Sequence, residues 1–94
     1  MTLVAAVPHV LVVDDDRAFR HAVDALLRKA GYATAQVGDG IAALTHLSDQ
    51  RVDLVLLDIG LPGMNGLEVL AEARRLAAPP RIVIITSDDT PEAL

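Results

Sequence analysis

Four short runs along this chain are rich in apolar residues, and the stretches between them carry apolar residues at helical spacing. His9 to Asp14, Val52 to Leu57 and Arg81 to Ile85 are nearly continuous in Val, Leu and Ile, while Tyr32 to Val37 is a weaker run of the same kind. Strands covered on both faces read this way. Between the first two runs, Asp16 is placed to cap a helix reaching about Ala30, where Lys29 and Gly31 form a stop signal. Phe19, Val23, Leu26, Leu27 and Ala30 would form its apolar stripe, with Arg17, Arg20, Asp24 and Arg28 on the solvated side. Asp39-Gly40 opens a second helix bearing Leu44 and Leu47. After the turn-rich loop Leu61-Pro-Gly-Met-Asn-Gly66, a third helix carries Val69, Leu70, Ala73, Leu76 and Ala77, and Ala78-Pro79-Pro80 ends it. Thr90 and Pro91 suit the cap and first position of a fourth helix. Strands alternating with helices across short loops dictate right-handed crossovers and a parallel α/β sheet.

Composition narrows what such a sheet can do. The chain has 94 residues, enough for one domain, and 52% are hydrophobic. Phe19 and Tyr32 are the only aromatic residues, so Leu, Val, Ile and Ala must fill the core. A formal net charge of −5 argues against direct nucleic-acid binding by this segment, which would need clustered Lys and Arg. There is no Cys, hence no disulfide and no thiolate metal site. The opening residues lack the basic start of a signal peptide, and no run is long enough to span a membrane. A cytoplasmic location is expected.

In a parallel sheet all strands end at one edge, where ligands of open α/β sheets bind. Asp14, Asp15, Asp58 and Thr86 fall at those ends. Three carboxylates in one pocket repel one another by about 4 kcal/mol per pair at ~4 Å and an effective dielectric of ~20. Such a cluster calls for a divalent cation or a retained proton. Mg²⁺ suits hard oxygen donors, and its ligands would be carboxylates here together with the backbone carbonyl of Gly60. A carboxylate can also attack phosphorus to form an aspartyl-phosphate. Thr86 is placed to hydrogen-bond a phosphoryl oxygen on Asp58. No Lys lies near the end of the fourth run; the only one, Lys29, ends the first helix.

The strings Val-Val-Asp14-Asp15, Leu-Leu-Asp58-Ile-Gly-Leu-Pro62-Gly-Met-Asn-Gly66 and Ile-Ile-Thr86-Ser, in that order, resemble the receiver domains of two-component response regulators. The resemblance covers residues 9–94. It implies a flavodoxin-like, doubly wound (βα)5 fold with strand order 2-1-3-4-5. It implies Asp58 as phosphoacceptor, Asp14 and Asp15 as the acidic Mg²⁺ pocket, and Thr86 as the switch hydroxyl. The partners it implies are a sensor histidine kinase or phosphotransfer protein and an output domain, which for many such regulators controls transcription. A receiver of this kind catalyses only its own phosphoryl transfer and dephosphorylation. It also carries a fifth strand with a Lys and an aromatic switch residue, and neither is found in these 94 residues. The chain is therefore expected to stop within the fourth helix, leaving the fourth strand as an edge suited to self-association.

Gly38-Asp-Gly40-Ile-Ala-Ala43 fits a loose dinucleotide fingerprint, with Asp58 at the distance of a ribose-binding acid. It leaves Asp14, Asp15 and Thr86 unexplained and points Asp39 at a pyrophosphate. No P-loop motif is present. A receiver-like module used only for protein contacts is the non-catalytic alternative. His9, His21 and His46 show no ligand spacing.

Overall fold

A computed structural model describes residues 7–85. Its elements are β1 (His9–Val13), α1 (Arg17–Lys29), β2 (Ala33–Val37), α2 (Gly40–Asp49), β3 (Leu54–Asp58), α3 (Gly66–Ala73) and β4 (Arg81–Ile85). The four strands form one parallel sheet in the order β2-β1-β3-β4. This is the order expected for the first four strands of the flavodoxin-like sheet.

Alternation along each strand divides the sheet into two faces. Leu11 pairs in register with Ala35 and Val55, and Val13 with Val37 and Leu57. These residues belong to the core that also contains Ala43 and Leu47 of α2 and Val69 and Ala73 of α3. Both helices therefore cover that face. Val10 and Val12 are buried on the other face, in register with Thr34 and Gln36 of β2. The α1 helix packs there, against β1 and β2. The central strand is thus buried on both sides, which is why its sequence shows no polar alternation.

Helix starts follow the expected chemistry. Asp16 accepts the Phe19 N–H at 3.1 Å and Asp39 accepts the Ala42 N–H at 2.7 Å. Asn65 does the same for α3, accepting the Glu68 N–H at 3.0 Å.

Two expectations need correction. The α3 helix stops at Ala73, although its apolar spacing runs on to Ala77. Arg75 and Leu76 donate to carbonyls three residues back, at 3.1 and 3.2 Å, so the helix tightens and ends. Pro79 and Pro80 disfavour helical backbone at the residues just before them, so the helix does not resume. The inward stripe of α1 is also rotated from the expected one. Arg20, Val23, Asp24 and Leu27 are partly buried, whereas Leu26 is 69% and Phe19 40% exposed. The surface α1 meets is partly polar, because Thr34 and Gln36 project from β2. Polar side chains of the helix can face it without being stranded. Thr34, Arg28 and Gln36 hold the Asp24 carboxyl below the usual carboxylate range, against the opposing effect of burial. Asp24 and Arg28 form an ion pair at 2.9 Å. Asp24 Oδ1 and Thr34 Oγ1 lack partners of full hydrogen-bond geometry, so Thr34 acts on Asp24 by polar proximity.

Candidate acidic site at the strand ends

β1 and β3 lie side by side, Val13 level with Leu57, so the residues that follow converge at one edge. Carboxylate oxygens of Asp14, Asp15 and Asp58 all lie within 4.8 Å of one another. Asp14 and Asp58 are each 4% exposed, while Asp15 faces solvent. Asp14 Oδ1 accepts the Asp16 N–H at 2.8 Å, and Asp58 Oδ1 accepts the Gly60 N–H at 2.9 Å. Each buried carboxylate thus has one oxygen anchored by backbone. Burial raises the Asp14 pKa most strongly; the Asp16 N–H opposes this, and the Asp58, Asp15 and Asp16 charges push it further up. Asp14 therefore sits in an undercompensated negative field.

The loop after β3 frames the pocket. Leu61 is buried in the core, and the Gly66 N–H donates to the Ile59 carbonyl at 3.2 Å. A Cβ on Gly66 would lie 2.5 Å from Ile59 Cα and 2.7 Å from the Asp58 carbonyl oxygen. Only glycine lets the first turn of α3 come so close to the strand that carries Asp58. Gly40 is likewise used for packing, since a Cβ there would lie 2.7 Å from Val69 Cγ2. The second glycine of the dinucleotide-like string thus serves the contact between α2 and α3.

Of the expected site residues, Asp14, Asp15 and Asp58 come together, and Gly60 adjoins them through its N–H. The β4 strand brings Ile85 level with Asp58, and Thr86 lies outside the described residues, as do Thr90 and Pro91. Arg20, expected on the solvated side of α1, instead reaches the pocket: it donates from Nη1 to the Asp14 carbonyl at 2.7 Å. The available signal was its spacing from Val23 and Leu27, three and seven residues on, which puts it on the inward face.

A family model for the response regulator receiver domain matches residues 10–94. The chain belongs to the response regulator receiver family. It is 43% identical over 81 residues to the DNA-binding response regulator MtrA of Mycobacterium tuberculosis, an alignment spanning 86% of this chain and 36% of that protein. It is 37% identical over 78 residues to sporulation initiation phosphotransferase F of Bacillus subtilis, spanning 83% of this chain and 63% of that one. Among solved structures, the chemotaxis response regulator CheY4 of Vibrio cholerae superposes with a TM-score of 0.82 at 31% identity, covering 94% of this chain and 75% of that one. A receiver domain from Methanospirillum hungatei superposes with a TM-score of 0.85 at 28% identity, covering 93% of this chain and 70% of that one. The chain thus spans about a third of the MtrA regulators it matches. As a receiver it is a module of two-component signalling.

Proposed function

We propose that this receiver, spanning residues 9–94, accepts a phosphoryl group on Asp58 from a sensor histidine kinase or a phosphotransfer protein. The convergence of Asp58 with Asp14 and Asp15 within 4.8 Å supports this reading above all else. Asp58 Oδ1 is engaged by the Gly60 N–H, leaving Oδ2 as the attacking oxygen. Its lone pair forms the new O–P bond as the P–N bond of a phosphohistidine breaks and the electron pair returns to the imidazole. Buried surroundings keep competing water away from the nucleophile.

The donor set fits Mg²⁺: hard carboxylate oxygens, two of them on buried residues, with the proton affinity of Asp14 raised by burial and further by the neighbouring acidic charges. Asp14, Asp15, Asp58 and the Gly60 carbonyl would hold the ion. When bound, it neutralises the phosphoryl oxygens during transfer. Thr86, directly after β4, is the residue whose hydroxyl would bond the phosphorylated side chain and pass the change on. The chain catalyses its own phosphorylation and dephosphorylation and turns over no other substrate.

In the whole protein, the output is DNA-directed transcription control through a further domain, by analogy with the MtrA relatives. This acidic segment does not itself bind nucleic acid. The location is the cytoplasm; among the described residues no helix is long and apolar enough to cross a membrane. For the 94-residue chain, the β4 edge, with Val83 and Ile84 exposed, offers a surface for self-association.

Labelling with a small phosphodonor such as acetyl phosphate tests the reading. Asp58→Asn should abolish an acid-stable, base-labile label that depends on Mg²⁺. Thr86→Ala should leave labelling largely intact and weaken the conformational response. A label that persists in Asp58→Asn would refute the assignment. Failure of Mg²⁺ to shift the amides of residues 14–16 and 58–60 would instead favour a receiver-like module used for protein contacts alone.

A further inference from the structure

Arg20 stands in the first turn of α1, and its side chain turns back to the edge of the sheet. Nη1 donates to the Asp14 carbonyl at 2.7 Å, a short bond strengthened by the guanidinium charge. Nε is buried and has no protein acceptor, so the group is packed in place rather than solvated. Space for it comes from Gly38: a Cβ there would lie 3.2 Å from Nη1 and 3.8 Å from Cζ. Arg20 thus lies between the end of β1 and the loop that follows β2.

Asp14 is consequently held at three points. Its N–H donates to the Val37 carbonyl at 3.2 Å, its carbonyl receives Arg20, and its Oδ1 receives the Asp16 N–H. The Asp14 carbonyl and the Asp15 nitrogen share one planar peptide group. Fixing that carbonyl fixes the plane from which Asp15 departs. Asp15 is exposed, so little packing restrains its side chain, and the backbone must aim it.

We propose that Arg20 is a positioning residue for the acidic pocket. Through the Asp14 carbonyl it aims Asp15 at Asp14 and Asp58, and so tunes the affinity for a divalent cation it does not touch. This rests on the cation reading above. Two effects of Arg20 oppose each other. As a positive charge it would weaken binding of a second cation; as a clamp it preassembles the ligands. Its charge is engaged with a carbonyl oxygen, and residues that orient metal ligands are worth about 10–100-fold in affinity. The clamp dominates.

The test compares the full chain as wild type, Arg20→Met, Arg20→Lys and Gly38→Ala. Mg²⁺ is titrated while amide NMR shifts are followed, and amide exchange is measured without metal. Arg20→Met should weaken Mg²⁺ binding about tenfold. It should also speed exchange at Asp14 and Asp16 while leaving Val55 and Leu57 unchanged. Arg20→Lys keeps a charge and a donor and should recover most of the affinity. Gly38→Ala displaces the guanidinium without removing it, and should cause a smaller loss in the same direction should Arg20→Met fold poorly. Unchanged or tighter Mg²⁺ binding in Arg20→Met, with unchanged exchange, overturns the proposal. A wild type without any Mg²⁺ response overturns the cation reading instead, and the exchange comparison still decides whether Arg20 holds Asp14.

Discussion

Replacing Asp58, the proposed phosphoacceptor, by Asn should stabilise the metal-free protein. The carboxylates of Asp14, Asp15 and Asp58 approach within 4.8 Å. At that separation two unit charges repel by about 0.9 kcal/mol in water and about 3.5 kcal/mol at an effective dielectric of ~20. Asp14 and Asp58 are each only 4% exposed, which places their repulsion toward the upper figure. Asp15 is exposed and contributes toward the lower one. Asn keeps the Oδ1 acceptor for the Gly60 N–H, so the loop anchor survives the change. Its amide can also donate toward the Asp14 carboxylate. A net gain of about 1–3 kcal/mol follows. For a domain of this size each kcal/mol moves Tm by about 4–8 °C, so thermal unfolding in EDTA should shift up by roughly 4–24 °C. Because the pair is buried, the gain should persist at physiological salt. Adding Mg²⁺ should raise Tm of the wild type and leave that of Asp58→Asn nearly unchanged. An unchanged or lower Tm for Asp58→Asn in EDTA would refute the account of an undercompensated pocket.

Other consequences are equally open to measurement. Gly66→Ala forces a Cβ against the Ile59 and Asp58 backbone, so it should cost about 1–3 kcal/mol or more in urea unfolding and broaden the amide signals of Asp58 to Gly60; a neutral effect would show that the loop yields freely. The Asp24 pKa is lowered in the fold, so its contribution to stability is full above its unfolded value and is lost as pH falls through the folded one. Asp24→Asn should therefore reduce stability at neutral pH and flatten the acid limb of the stability curve; identical acid limbs would remove Asp24 from the account. Asp14 is shifted the other way, so its cost to the fold is present at neutral pH and is relieved as pH falls through its raised folded value. Mg²⁺ affinity should decline over that same range as protons compete, and a pH-independent affinity there would contradict the assignment of Asp14 to the pocket. With Val83 48% and Ile84 43% exposed, the 94-residue chain should self-associate at micromolar concentration, and Val83→Lys should return it to monomer; a cooperative wild-type monomer in sedimentation would rule out the β4 edge as a contact.

The order of strands and helices, the caps at Asp16 and Asp39, and the meeting of Asp14, Asp15 and Asp58 were legible in the amino-acid sequence. Each rests on local or topological rules. Apolar runs too uniform to alternate suit strands covered on both faces, as β1 is, and parallel strands must all end at one edge, so acids at strand ends converge without any knowledge of packing. What a helix turns toward the sheet is a different matter. Composition alone would send Arg20 and Asp24 to solvent. The structure turns both inward, because β2 presents Thr34 and Gln36 to α1 and because Gly38 leaves room beside the Asp14 carbonyl. The unequal burial of Asp14 and Asp15, adjacent and chemically identical, was likewise decided only in three dimensions. Periodicity sets which residues of a helix share a face; the partner surface sets which face is turned to it, and that surface is assembled from residues distant in the chain.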